Sequence, residues 1–201
     1  MNTISYLALG DSYTIGEQVM ITESFPYQAI ELARRKKMAI YAPEIVAKTG
    51  WTSDELSAAI DQRQFLPSYD RVSLLIGVNN QYRGRGVQEF TTQFDHLVQR
   101  ALAFAGNITA HVTVLSIPDW GVTPFAEGRD RKAIATEIDA FNAVCKEAAL
   151  RHGTNYIDIT IAQRKDNGPD YIAPDGLHPS GKEYAKWAAL LVGKFSQSEQ
   201  D

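Results

Sequence analysis

Short apolar runs rich in β-branched residues alternate along this chain with longer stretches of helical period. That alternation is the signature of strand-helix units wound around a parallel sheet. Five strands are predicted: Ile4 to Leu9, a second near Ala39 to Ala47 interrupted by Pro43, Val72 to Ile76, His111 to Ile117, and Asn155 to Ile159. Between the third and fourth, Val87, Phe90, Phe94, Leu97, Val98, Ala101 and Ala105 keep one apolar face. Tyr184, Trp187, Ala188, Leu191 and Phe195 do the same at the end of the chain, and both stripes are expected to be core. Helix starts are marked by Thr52 with Glu55 and by Ser180 with Glu183, the spacing of a capping box.

No repeat or linker divides the 201 residues, although Gly77 to Gly86 and Asp119 to Asp130 are long for simple connections. One three-layer α/β domain spanning residues 1–201 is therefore expected, with a polar tail from Ser196. With 44% hydrophobic and 22% charged residues there is enough apolar material for a full core. A net charge of −4 gives no overall positive field to hold a phosphate backbone, so nucleic acid is not the expected partner. The run Arg34, Arg35, Lys36, Lys37 falls where a helix should end and reads as cations at a helix C-terminus.

The single cysteine, Cys145, can form no internal disulfide and sits on the apolar stripe Ile134, Ile138, Phe141, Cys145, Ala148. It reads as a packed core thiol. No stretch reaches the roughly 18 apolar residues of a membrane span. Met1 to Leu7 lack a basic n-region and run straight into a strand, so the expected location is cytoplasmic.

In open parallel sheets ligands bind beyond the carboxyl ends of the strands. There the chain places Gly10-Asp11-Ser12-Tyr13-Thr14-Ile15-Gly16 after the first strand, Lys48-Thr49-Gly50-Trp51 after the second, and Gly77-Val78-Asn79-Asn80 after the third. Asp175-Gly176-Leu177-His178-Pro179-Ser180 precedes the last helix. A serine on a strand-to-helix turn can be exposed for attack, and taken alone Ser12 reads as readily as a capping residue. Of the four histidines only His178 is placed for catalysis, since His96 lies on a polar helix face, His111 opens a strand and His152 ends a helix. Asp175, three residues earlier in a turn, can fold back onto its imidazole and fix the tautomer, with Asp119 as the alternative carboxylate by strand position. The backbone N–H groups of Ser12 and Gly50 and the side-chain amide of Asn79 leave the same sheet edge and are candidate donors to a carbonyl oxygen that becomes negative.

Together these four segments resemble the SGNH hydrolases, the GDSL-type esterase and lipase superfamily, whose serine, glycine, asparagine and histidine blocks are all matched in order between Leu9 and Ser180. The resemblance implies a flavodoxin-like α/β/α sandwich with a five-stranded parallel sheet. It implies Ser12 as nucleophile, His178 as base, Asp175 as the group that orients it, and Ser12, Gly50 and Asn79 as the oxyanion hole. One departure stands out: the family's third block usually ends Asn-Asp, and here it is Asn79-Asn80, where an amide keeps many of a carboxylate's hydrogen bonds but not its charge.

The expected activity is hydrolysis of short-chain acyl or acetyl esters of small soluble molecules through an acyl-enzyme on Ser12, with no cofactor and no metal. Trp51, Tyr82 and Trp120, together with Tyr13 and Tyr171, lie on or beside the active-edge loops and are candidate pocket residues. Arg83 and Arg85 are candidates for meeting an anionic substrate group or for remaining solvated. Alternatives are an acyltransferase or O-acetylesterase acting on a carbohydrate, a lysophospholipase, and a non-catalytic flavodoxin-like domain holding FMN or a sugar. No dinucleotide fingerprint, phosphate loop or His-Glu-x-x-His is present.

Overall fold

The structure, a computed structural model, describes residues 3–197, so the expectations for Met1, Asn2 and the tail beyond Gln197 lie outside the described residues. The elements in order are β1 (Tyr6–Asp11), α1 (Ser12–Ile15), α2 (Phe25–Arg35), β2 (Glu44–Lys48), α3 (Ser53–Asp61), β3 (Arg71–Leu75), α4 (Val78–Tyr82) and α5 (Val87–Phe104). There follow β4 (Val112–Leu115), α6 (Arg131–His152), β5 (Asn155–Ile157), α7 (Thr160–Lys165) and α8 (Gly181–Gln197). Short 3-10 turns fill several connections, among them Trp120–Val122, Pro124–Ala126 and Pro169–Tyr171.

All five strands are parallel, in the order β2-β1-β3-β4-β5. Right-handed crossovers then put α2 on one face and α3, α5 and α6 on the other. The packing agrees, with α8 against α2, and α5 between α3 and α6. β1 and β3 are buried along their whole length, as central strands covered on both faces must be. The α5 stripe Phe90, Phe94, Leu97, Val98 and Ala101 is fully buried, and each large side chain removed from water there stabilises the fold by roughly 1.5–3 kcal/mol. Tyr184, Trp187, Ala188, Leu191 and Phe195 of α8 are equally buried, as is Cys145 on α6.

The strand ends at the active edge depart from expectation both ways. β1 and β2 run further, whereas β3, β4 and β5 stop at Leu75, Leu115 and Ile157, the Ile117 and Ile159 N–H groups being taken by the Asn142 and Ser116 side chains. β1 begins at Tyr6, with Ile4 reduced to a single bridge with Ile40, and continues through Gly10 and Asp11, which pair with Ala47 and Lys48 of β2. β2 starts only at Glu44, because Pro43 ends the earlier extended stretch. His111 lies in a 3-10 turn before β4. Ser196 and Gln197 belong to α8 instead of a tail.

One expected cap forms and the other does not. Glu55 accepts the Thr52 N–H at 2.9 Å at the start of α3. At the start of α8, the Ser180 N–H goes to the Tyr171 carbonyl and its hydroxyl to the Asp170 carbonyl. Glu183 instead accepts the Trp187 indole N–H at 3.0 Å, so tertiary partners displace the capping box.

Candidate active site

The nucleophile turn is shaped by close approach. A Cβ on Gly10 would fall 2.0 Å from Thr14 Oγ1 and 2.5 Å from the Leu75 carbonyl, so only glycine lets β1 lie this tightly against β3 and α1. Asp11 caps α1, its Oδ1 accepting the Tyr13 N–H at 3.0 Å. Ser12 is the first residue of α1, where backbone N–H groups have no helical acceptor. Its hydroxyl has no hydrogen-bond partner among the described residues.

Asn79 and Gly50 arrive from the two strands that flank β1. The Asn79 Nδ2 donates to the Trp51 carbonyl at 3.0 Å and makes a long contact with Asp11 Oδ2 at 3.4 Å. Gly50 sits at φ +82°, a conformation that suits glycine, and Arg83 Nη2 donates to its carbonyl at 2.6 Å. The Gly50 N–H has no acceptor among the described residues. Asn80 is fully buried and uses both ends of its amide on Ser53: Oδ1 accepts the Ser53 N–H at 3.0 Å and Nδ2 donates to Ser53 Oγ at 2.8 Å. An ionised Asp could not donate the second of these bonds, which is a local reason for the amide at this position.

His178 stands in a loop held by its own turn. Asp175 Oδ2 lies 2.6 Å from His178 Nδ1, and Asp175 Oδ1 accepts the N–H groups of Leu177 and His178 at 3.0 Å each. A carboxylate at Nδ1 assigns the proton to that nitrogen and leaves Nε2 as the acceptor. Burial acts to raise the Asp175 carboxyl, but these hydrogen bonds and the imidazole outweigh it and hold the group below its ordinary value. Asp11 shows the reverse balance. Burial pushes it up to about 7, with the Tyr13 N–H and the Asn79 amide pulling only partly back.

Ser12 and His178 open onto one cavity of about 160 Å³, shared with Tyr13, Thr49, Gly50, Val78, Asn79, Tyr82, Trp120, Phe125 and Leu177. No hydrogen bond joins Ser12 to His178 among the described residues, and such contacts often tighten only when substrate is bound. The Tyr13 ring packs 5.0 Å from the imidazole. A larger depression of about 360 Å³ between α2 and α8 is lined by residues such as Gln28, Glu31 and Arg35 and contains neither a serine nor a histidine. Among the described residues no group of three or more His, Cys, Asp or Glu side chains is arranged to hold a metal ion.

The structure thus brings Ser12, Gly50, Asn79 and His178 to one cavity, with Asp175 behind the imidazole. Tyr82, Trp120 and Tyr13 line it as expected. Trp51 does not: its side chain packs against the core and it contributes its carbonyl to Asn79. Tyr171 also lies elsewhere, under the Lys186 ammonium. Asp119 is bonded to Arg164 Nε at 2.8 Å and to the Gly121 N–H, leaving Asp175 as the partner of His178. Arg83 pairs with Glu55, and Arg85 with Asp54 and Glu89. Phe125, Leu177, Thr49 and Val78 were not legible as pocket residues. The available signal was position, since Phe125 lies in the long connection after β4, at the sheet edge where function concentrates.

A serine, an imidazole oriented by a carboxylate, and three backbone or amide donors around one small cavity are the parts of an acyl-transfer site. The chain matches the GDSL-like Lipase/Acylhydrolase family over residues 8–186 and belongs to it; it is a GDSL-type carboxylic ester hydrolase. No curated protein sequence matches the chain.

Among solved structures it is similar to a lipase/acylhydrolase from Enterococcus faecalis, with TM-score 0.78 and 19% identity over 98% of this chain and 97% of that one. It is similar to the acetylxylan esterase Axe2 from Geobacillus stearothermophilus, with TM-score 0.76 and 18% identity over 95% and 93%. The psychrotrophic esterase EstA from Pseudoalteromonas sp. aligns with TM-score 0.64 and 17% identity over 98% and 96%. Among the described residues no helix is long and apolar enough to cross a membrane.

Proposed function

We propose that this chain hydrolyses acetyl and other short acyl esters of small molecules through an acyl-enzyme on Ser12. The observation that carries the reading is the Asp175–His178 pair at 2.6 Å beside a serine in the same small, largely apolar cavity. Ser12 Oγ attacks the ester carbonyl carbon while its proton passes to His178 Nε2. The carbonyl oxygen, now negative, takes hydrogen bonds from the Ser12 and Gly50 N–H groups and from Asn79 Nδ2. The tetrahedral intermediate collapses, the alcohol leaves with the proton held on His178, and Ser12 stays acylated. Water then attacks the acyl carbon, giving its proton to His178, and the second collapse releases the acid and restores the serine.

Of the two Asn79 contacts, the one to Asp11 at 3.4 Å is too long to be a good hydrogen bond, so that amide hydrogen is the one available to the oxyanion. A second reading, a carbohydrate O-acetylesterase, is favoured by the half-exposed rings of Tyr82 and Phe125 at the cavity, which offer apolar faces to a sugar. The similar Geobacillus protein is described as an acetylxylan esterase. The cytoplasmic location expected from the sequence is kept as part of this proposal.

The test is covalent. A fluorophosphonate should add once to the protein with loss of fluoride, as seen by intact mass, and Ser12→Ala should take up none. The similar Pseudoalteromonas esterase is described as inhibited by a phosphonate. Labelling that persists in Ser12→Ala removes the serine from its role. Nitrophenyl acetate, acetylated xylo-oligosaccharides and lysophosphatidylcholine then separate the substrate readings, with turnover of acetyl esters expected and none of the lysolipid.

A further inference from the structure

A hydrogen-bonded relay runs from the cavity into the helical layer. Trp120 Nε1 donates to Gln81 Oε1 at 2.7 Å, and Gln81 Nε2 donates to Glu137 Oε2 on α6, also at 2.7 Å. Trp120 is 3% exposed and Gln81 5%. The indole is also held by its neighbours. Tyr82 meets it edge-on with centroids 5.3 Å apart, Phe125 does so at 6.0 Å, and the Arg129 guanidinium lies 5.6 Å from the ring centre. A tryptophan side chain turned about its χ2 axis would present carbon to Gln81 and leave a buried N–H and a buried carbonyl oxygen without partners. Such groups are costly to strand, so one orientation of the ring is fixed.

Exposure grades across the lining of the cavity. Tyr82 and Phe125, 45% and 40% exposed, form its rim, whereas Trp120, Tyr13 and Val78 of the lining are buried. A dry cavity of about 150 Å³ is filled by one benzene molecule, so about 160 Å³, shared with the rest of the ester, takes an acyl group of at most roughly six carbons.

We infer that Trp120 is the specificity-determining residue that stops the acyl group, and that Gln81, braced by Glu137, is its positioning residue. This rests on the reading of the site as a short-acyl esterase. Each methylene that fits should improve kcat/KM by about fourfold, and the gain should reverse once the chain meets the indole. The wall is rigid because its displacement breaks the buried hydrogen bond from Trp120 to Gln81, not because the loop carrying it is long or short. Selectivity is then set by a side-chain network of Trp120, Gln81 on α4 and Glu137 on α6, none of which is a reacting group or an oxyanion donor.

The experiment uses the full chain and nitrophenyl esters from acetyl to decanoyl, reading the decanoyl to butyryl ratio of kcat/KM within each preparation. That ratio does not depend on the fraction of active protein. In Trp120→Ala it should rise at least about tenfold over the unaltered chain, mainly through KM. Gln81→Leu should raise it by a smaller factor, and Trp120→Phe, which also lacks a donor for Gln81, should match Gln81→Leu. Glu137→Gln keeps an acceptor for the Gln81 amide and should leave the ratio unchanged. An unaltered ratio in both Trp120→Ala and Trp120→Phe overturns Trp120 as the stop. A shift in the Trp120 variants with none in Gln81→Leu overturns the role of Gln81. Loss of all Ser12-dependent turnover in the unaltered chain would instead overturn the esterase reading itself.

Discussion

The serine and the histidine that share the cavity are held by opposite means. Ser12 follows a strand buried at all six positions, and its turn is braced by distant elements: Gly10 against Leu75 of β3, and Asp11 beside Asn79 of α4. His178 belongs to no helix or strand. It is fixed by short-range bonds, with Asp175 to Leu177 and His178, the Ala173 N–H to the His178 carbonyl, and the Ser180 N–H to the Tyr171 carbonyl. One longer tie, from the Phe125 N–H to the Gly176 carbonyl, docks that loop beside the aromatic rim. The nucleophile is thus positioned by the whole sheet and the base by a self-contained turn. Damage at the base should therefore remove chemistry and spare the fold, whereas damage at the nucleophile's supports should be felt in both.

The sharpest break of that comparison is Asp175→Asn. The amide can still accept the Leu177 and His178 N–H groups through its oxygen, so the turn survives, but it presents a donor where His178 Nδ1 needs an acceptor. The wrong tautomer then faces Ser12. Steady-state kinetics should show kcat down by about 10³ to 10⁴, with a melting temperature within a few degrees of the unaltered chain. A large fall in melting temperature would mean that the base loop is part of the folding core after all.

Asn79→Ala probes the side of the site that is tied to the sheet. Removing the amide should cost kcat about 10² to 10³, or about 2.7–4 kcal/mol of transition-state stabilisation, with KM little changed. It also strands the Trp51 carbonyl, so about 1 kcal/mol of stability should go with it in urea unfolding. An unchanged kcat would remove Asn79 from the oxyanion hole, and an unchanged stability would separate it from the sheet's bracing.

The same contrast explains what could be read from the residues. The five parallel strands follow from apolar period and turn glycines, which are local signals. The Asp175–His178 pair was visible because a spacing of three residues within one turn suffices to make it. Gly10 and Asp11 were not legible as strand, since neither favours extended structure, and only pairing with Ala47 and Lys48 keeps them there. The capping box at Ser180 failed for the same kind of reason, because Asp170 and Trp187 supply better partners from elsewhere. Trp51 leaves the cavity and Phe125 joins it because a loop residue's position in sequence does not fix which way its ring points. The relay from Trp120 to Glu137 joins residues on three separate segments, and no spacing rule reaches across them.

The smallest expected effect concerns Asp11, where the two halves of the comparison meet in one titration. Its carboxyl is buried beneath the nucleophile turn and titrates near 7, against 3.8 when free in the unfolded chain. Between those values the folded protein holds a proton that the unfolded chain has released, so stability should fall as pH rises through that window and level off above about 7. Each tenfold separation between the two acid constants corresponds to about 1.4 kcal/mol, which makes a few kcal/mol the upper bound. Asp11→Asn keeps an oxygen for the Tyr13 N–H and loses the titration. Relative to the unaltered chain it should therefore gain roughly 1–2 kcal/mol between pH 5 and pH 8 in paired urea unfolding curves, while kcat falls by less than in Asn79→Ala. A stability difference that is the same at both pH values would show that Asp11 ionises as easily in the fold as outside it. The nucleophile turn would then carry a permanent negative charge beside the oxyanion donors, and the 3.4 Å contact to Asn79 would become a competitor for the substrate's oxygen instead of a resting position for the amide.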